Sequence, residues 1–390
     1  MLTELLQRSE ALPLNFNHLV RRVKKVMIPM RDGIKLAADL YVPQNVPGGH
    51  SLPVVLEYTP YRKDELDVLQ RRYATYLPEH GYIFIRIDVR GTGASEGIST
   101  DEYLPLEQED GYDAIEWIAA QAWCDGHVNM MGISYGGFTC LQVAAHAPPH
   151  LTSVIPVDFT DDRYTDECHY RGGLMRLYYD IAYYGGFMVA WNALPPDPES
   201  SGSEWAEKWE QHLAHNEPYL LKWYKHQTDG PYWHKGSVRF FPERIKCPVF
   251  MIGGWRDGYP NPPLRLYQVL KVPRKVWIGP WNHAFPDTAI PGPRVEYLQE
   301  IVRWLDHWCK GAPTGIMEEP PIVVFMQHSQ KPVVDRLDTE GQWRAETDWP
   351  PPGASEAVLA LGPGHTLETS PEGGEGRNDF EYKPDIGDRK

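Results

Sequence analysis

Short apolar runs recur along the chain from Val23, and most are followed by a stretch of helical spacing. VKKVMIP (23–29), KLAADLYV (35–42), PVVLEY (53–58), YIFIRIDV (82–89), VNMMGI (128–133), TSVIPV (152–157), CPVFMIGG (247–254) and KVWIGP (275–280) predict strands. The middle members are rich in Val and Ile and lack polar alternation, as strands buried on both faces of a parallel sheet do. Helical periodicity falls between them, over DVLQRRYATYLPEH, PLEQEDGYDAIEWIAAQ, GGFTCLQVAAHA, NPPLRLYQVL and VEYLQEIVRWLDHWCKG. Strands alternating with helices of this length predict an α/β fold built on a doubly wound sheet.

Two regions break the alternation. Residues 158–245 carry 15 aromatic side chains between Arg163 and His234, with Trp205, Trp209 and His212 spaced to share one helical face, which predicts a helical insertion. After Gly311 the texture becomes PPIVVFMQ, QWRAETDWPPP and EAVLALG, broken by Pro and Gly, an all-β pattern too short for an independent sandwich. The expected organisation is therefore a sheet domain over 1–157 and 246–310, a helical cap over 158–245, and a partial C-terminal β-sandwich over 311–390.

Charge and composition narrow the function classes. Asp and Glu total 53 against 38 Lys and Arg, a formal net charge of −15, with no long basic run, which argues against a nucleic-acid partner. The densest basic stretch, Arg21 to Lys25, reads as a solvated strand edge. No run approaches the roughly 18 apolar residues of a membrane span, and the N-terminus, with Glu4 and Glu10, does not resemble a secretory signal. The five cysteines (Cys124, Cys140, Cys168, Cys247, Cys309) contain no CxxC pair and read as free buried thiols in a reducing compartment, so a cytoplasmic location is expected.

The most informative residues are GISYGG, Gly132 to Gly137, where a strand run stops and a helix pattern starts. This is the context of the Gly-x-Ser-x-Gly nucleophile elbow, in which a sharp turn lifts the Ser134 hydroxyl off the sheet; side chains at Gly132 or Gly136 are expected to collide with neighbouring strands. An elbow serine needs a base and an orienting carboxylate later in the chain. Asp257 follows VFMIGG in the turn WRDGYP, and His283 follows VWIGP in WNHAFP, so each stands just beyond the carboxyl end of a predicted parallel strand, as Ser134 does. The oxyanion needs donors. One is the backbone N–H of Tyr135; the other should come from the loop EYTPYRKDE, where Pro60 has no N–H and the Tyr61 phenol is the natural substitute.

Competing motifs carry less. RGTGASEG approximates a dinucleotide loop through Gly91, Gly93 and Gly97, but no helix opens directly after it; Asp88 and Arg90 are expected to tie it together as an ion pair. His212 and His215 in HLAH lack a further ligand at metal spacing.

Taken together, IRIDVRGTGASEG (85–97), EDGYDAIEWIAAQAWCDGHV (109–128), GISYGG, the TPYRK loop and the WRDG and WNH turns resemble the X-Pro dipeptidyl-peptidase and cocaine esterase group of α/β-hydrolases. The resemblance implies an α/β-hydrolase sheet, a helical cap and a C-terminal jelly roll, with Ser134 as nucleophile, Asp257 and His283 as its partners, and Tyr61 and Tyr135 as the oxyanion hole. It implies a serine hydrolase acting on a small-molecule ester or peptide without metal or organic cofactor, and leaves a homodimer open. Within the acidic run DFTDDRYTDE, Asp161, Asp162 or Glu167 could receive a substrate ammonium, which would favour dipeptidyl-peptidase or amino-acid-ester chemistry. The contrasting class is a hydrolase fold without activity, used for binding.

Overall fold

The computed structural model describes residues 20–43, 51–64, 72–369, 377, 379 and 381–383. The N-terminal segment, the start of the helix expected over 67–80 and most of the polar C-terminal stretch lie outside the described residues. Ten strands form one sheet: β1 (Val20–Pro29), β2 (Lys35–Pro43), β3 (Leu52–Thr59), β4 (Ile83–Asp88), β5 (Cys124–Ile133), β6 (Leu151–Val157), β7 (Val249–Gly254), β8 (Arg274–Gly279), β9 (Ile322–Gln327) and β10 (Gly341–Glu346). Their order is β1-β2-β4-β3-β5-β6-β7-β8-β9-β10. Everything from β4 to β9 is parallel, while β1, β2 and β10 pair antiparallel with their neighbours. The chain turns one way from β3 to β4 and the other way to β5, so the switch in winding lies between β3 and β5, where open α/β sheets form a crevice beyond the strand ends.

Alternation along the strands builds a core on each face. Val249 and Met251 of β7 and Val276 and Ile278 of β8 face one core, closed by α2 (Pro105–Ala119), α3 (Tyr135–Ala144) and α7 (Pro262–Val269). Phe250, Ile252 and Trp277 face the other, closed by α1 (Tyr73–Glu79) and α8 (Leu298–Lys310), whose Leu298, Ile301, Trp304 and Leu305 recur at helical spacing. Gly311 ends α8 in the left-handed region at φ 62°, where a side chain would be strained.

The insertion after β6 is helical, as its aromatic spacing predicts. It contains α4 (Leu177–Ala182), α5 (Tyr184–Ala193) and α6 (Trp205–Ala214), with a separate small core of Cys168, Tyr170, Tyr184, Met188, Tyr219, Trp223 and Trp233. The residues after Gly311 depart from expectation. Ile322–Gln327 and Gly341–Glu346 do not begin a separate β-sandwich; they extend the main sheet, with Val276, Trp277 and Ile278 in parallel register with Ile322, Val323 and Val324. The reason is burial: Ile322, Val323 and Val324 are as apolar on both faces as the strands before them.

The loop after β4 also folds differently from expectation. Asp88 and Arg90 do not pair. Buried Asp88 accepts the N–H groups of Lys63 (2.5 Å) and Ala94 (3.0 Å), whereas Arg90 reaches Asp110 (2.6 and 2.7 Å) and Asp32 (2.7 Å). A Cβ at Gly93 would fall 2.2 Å from the Asp88 carboxylate, so the glycines close a tight turn over that carboxylate rather than cradle a phosphate.

Candidate active site

Ser134 sits in the turn from β5 into α3 at φ 59° and ψ −125°, a conformation L residues rarely adopt. Its N–H bonds to Val157 O at 3.0 Å, tying the elbow to the end of β6. Gly132 permits the turn, since a Cβ there would stand 2.7–2.8 Å from the Gly136 backbone. The second crowded position is Gly137, whose Cβ would meet Val157 O at 2.7 Å. It is not Gly136, which faces open space up to the Glu57 side chain at 3.9 Å.

The Ser134 hydroxyl lies 3.2 Å from the Tyr61 phenol. Tyr61 follows β3 and Ser134 follows β5, so the two flank the switch in strand order. The Tyr135 backbone N–H faces the same phenol oxygen, and the Tyr61 ring is held edge-on by Tyr135 (6.0 Å between centroids) and against Trp191 of α5 (5.2 Å). Desolvation among these rings pushes the Tyr61 phenol well above its ordinary range, so it keeps its proton and remains a donor.

Asp257 and His283 meet beyond β7 and β8. Backbone bonds from Trp255 N–H to Gly279 O (2.9 Å) and from Arg256 N–H to Trp281 O (3.0 Å) lace the two loops together. His283 Nδ1 is 2.6 Å from Asp257 Oδ1, and the Tyr259 N–H holds Asp257 Oδ2 at 3.1 Å. Asp257, buried, offers an oxygen to accept an Nδ1–H, the tautomer that leaves the Nε2 lone pair free. Tyr259 packs edge-on against both His283 (5.7 Å) and Phe138 of α3 (5.3 Å), connecting the histidine loop to the helix that carries Ser134 at its start.

The acidic run is arranged otherwise than the ammonium reading requires. Asp161 accepts from Arg265, which also bonds Asp166 at 2.8 Å. Asp162 caps Tyr164 N–H at 3.0 Å and pairs with Arg239. Glu167 accepts Cys168 Sγ–H at 3.1 Å and His169 N–H at 3.1 Å. These charges are already met by protein groups, so Asp161 and Asp162 serve the fold of the segment rather than offering a free carboxylate. His212 is buried, and desolvation followed by nearby Arg62 and Lys208 lowers its pKa.

Among the described residues, two groups bring three ligand-type atoms within 4.8 Å of one another: Glu167, Cys168 and His169, and Asp158, Asp257 and His283. In the first, His169 is spent on Asp180 (2.7 Å) and Glu102 (2.9 Å), and Glu102 also takes Arg163 (3.1 Å) and Tyr184 (2.5 Å). Burial alone would lower the His169 pKa, but Cys168, Glu167 and Glu102 and the Asp180 bond raise it well above its usual value, so this is a charged knot joining the insertion to the loop before α2. In the second, Asp257 and His283 are bonded to each other at 2.6 Å. Asp158 is the residue the sequence reading passed over. It opens the same acidic run, directly after β6, and its only signal was that it ends a buried strand beside the site.

The chain matches the X-Pro dipeptidyl-peptidase (S15 family) over residues 32–285. It is 27% identical to the cocaine esterase of a Rhodococcus species over 405 residues, covering 92% of this chain and 67% of that protein. A CocE/NonD family hydrolase of Staphylococcus aureus superposes with a TM-score of 0.68 at 20% identity, over 90% of this chain and 60% of that one. An α-amino acid ester hydrolase superposes at 0.67 and 21% identity, over 90% and 63%. The chain spans between 49% and 67% of the length of the curated relatives it matches. A sheet with this order, an elbow at the end of its fifth strand and a family match over residues 32–285 thus converge: the chain belongs to the X-Pro dipeptidyl-peptidase (S15) family.

Proposed function

We propose that the chain is a serine hydrolase that cleaves an ester or amide bond through an acyl-enzyme on Ser134. The observation that carries this reading is the meeting of a serine hydroxyl at an elbow with two oxyanion donors, the Tyr61 phenol at 3.2 Å and the Tyr135 amide facing it. His283 Nε2 takes the Ser134 proton as the hydroxyl attacks the carbonyl, and Asp257 stabilises the imidazolium through Nδ1. The carbonyl oxygen, now negative, settles between the Tyr61 hydroxyl and the Tyr135 N–H. His283 returns the proton to the leaving group, and water repeats the sequence on the acyl-enzyme. Side chains and water close this cycle.

A fluorophosphonate should label the protein, and Ser134→Ala should abolish both the label and turnover of p-nitrophenyl acetate. Undiminished labelling of that variant would place the nucleophile elsewhere, and no turnover by the unsubstituted protein would favour a hydrolase fold used for binding. The substrate reading is an acyl group with bulk or rings, supported by Trp191 and Tyr259 beside the site. Simple aryl esters, amino-acid esters and X-Pro p-nitroanilides assayed side by side decide between ester and dipeptide cleavage; relatives bearing both kinds of name make this the discriminating panel.

A cytoplasmic site of action is the reading favoured by five buried cysteines, all free; among the described residues no helix is long and apolar enough to cross a membrane. A homodimer would cover the exposed Leu174, Tyr178, Ile181 and Tyr183 of the cap. Light scattering that returns a monomer mass removes it.

A further inference from the structure

We propose that Asp158 is a second, reserve carboxylate for the imidazole of His283, a positioning residue able to take over the role of Asp257. This deepens the serine hydrolase reading and rests on it. Asp158 stands at the end of β6 as Asp257 stands beyond β7, and these strands are neighbours: the Asp158 N–H bonds to Ile252 O of β7 at 2.9 Å. Its Oδ2 is 3.9 Å from His283 Nδ1, the same nitrogen that Asp257 holds at 2.6 Å. That oxygen is buried with no hydrogen-bond partner among the described residues, an arrangement proteins seldom leave without a use. The backbone supports the placement at a cost: Asp158 sits at φ 45°, in the left-handed region, which Asp tolerates better than most residues but still pays for. The Ala284 N–H, next to the histidine, faces the Asp158 carboxyl, so the residue also reaches the loop that carries the imidazole.

The two carboxyls cannot both be charged so close together inside the protein. Burial, and then the neighbouring Asp257, raise the Asp158 pKa well above its usual range, so in the resting site Asp158 holds its proton. Removing Asp257 removes the like charge. Asp158 can then give up its proton, and a rotation of less than the gap to Nδ1 lets its carboxylate accept the Nδ1–H. The histidine keeps the tautomer with a basic Nε2.

The test is a double-mutant cycle on the full chain, read as kcat and KM for p-nitrophenyl acetate, with fluorophosphonate labelling of Ser134 as a check of the parent reading. In a triad with one carboxylate, losing it costs about 10⁴-fold in kcat. Here Asp257→Ala should cost only about 10²-fold, and Asp257→Ala/Asp158→Asn should fall to about 10⁴-fold with KM little changed. Asn keeps the shape of Asp158 and an oxygen for Ala284, so folding is preserved; an unchanged urea midpoint confirms it. A merely structural Asp158 would lower kcat by the same factor whether or not Asp257 is present, and that result overturns the proposal. So does a full 10⁴-fold loss in Asp257→Ala alone. If Ser134→Ala keeps its label and activity, the parent reading fails instead, whatever the cycle gives.

Discussion

Tyr61→Phe isolates one hydroxyl. The ring remains packed between Tyr135 and Trp191, at 6.0 and 5.2 Å, so the cavity keeps its walls and the fold loses at most the roughly 1 kcal/mol of one hydrogen bond. What disappears is a hydroxyl 3.2 Å from Ser134 Oγ, placed where the proposed mechanism forms its tetrahedral oxyanion. Removing one of two such donors costs about 10²–10³ in kcat, or about 2.7–4 kcal/mol of transition-state stabilisation. A ground-state carbonyl gains little from the same hydroxyl, so KM should change far less than kcat. The assay is steady-state hydrolysis of p-nitrophenyl acetate, with the urea midpoint of each protein as control. A fall in kcat of less than about fivefold, at unchanged stability, would show that the phenol is an aromatic plug beside the serine and that the oxyanion is held by other groups.

Two further variants probe the elbow and its support. Gly132→Ala should destabilise the protein by about 1–3 kcal/mol in urea unfolding, because its Cβ meets backbone at 2.7–2.8 Å; Gly136→Ala, with nothing closer than 3.9 Å, should stay within about 0.5 kcal/mol, and equal losses would refute the geometry. Glu107, buried in α2, accepts the Tyr135 hydroxyl at 2.9 Å, and desolvation foremost raises its pKa to about 8 from an ordinary 4.5. The folded state therefore holds a proton that the unfolded state releases between about pH 4.5 and 8, so this residue makes stability fall as pH rises across that window, by about 1.4 kcal/mol per pH unit where it acts alone. Glu107→Gln, which mimics the protonated acid, should flatten that decline; a pH dependence of unfolding identical to that of the parent would show that Glu107 ionises normally.

The sheet was legible because its strands are apolar on both faces and its helices are not. VFMIGG and VWIGP can be nothing else between helical stretches, and the order Ser134, Asp257, His283 follows once each is placed beyond a strand end. Strand order was not legible. PPIVVFMQ reads as β wherever it pairs, and only the register of Ile322 against Val276 shows that it joins the main sheet. The elbow glycines were assigned by motif, which identifies a crowded turn but not which neighbour crowds which residue; hence Gly137 rather than Gly136. The knot of Glu102, His169 and Asp180 was invisible because His169 is 67 positions from one partner and 11 from the other, at no recurrent spacing. Asp161 and Asp162 looked like free carboxylates for a similar reason: their partners, Arg265 and Arg239, lie 104 and 77 positions away.

The insertion bears on the proposed chemistry at two points, the Tyr61 ring itself and the residue that follows it. Arg62 follows Tyr61 and is held at φ 57°, with its guanidinium gripping the carbonyls of Leu194 (3.0 Å) and Pro195 just beyond α5. The same helix sets Trp191 against the Tyr61 ring. A phenol in water would meet an incoming carbonyl in competition with solvent, and would yield its proton near pH 10; enclosed by Trp191 and Tyr135 it does neither. The insertion after β6 therefore supplies the low-dielectric wall around the Tyr61 hydroxyl that the proposed oxyanion role requires. Under the proposed mechanism, a loop containing Pro60, and lacking the run of glycines that would present backbone N–H groups, completes the hole with a side-chain donor whose ring the insertion holds in place.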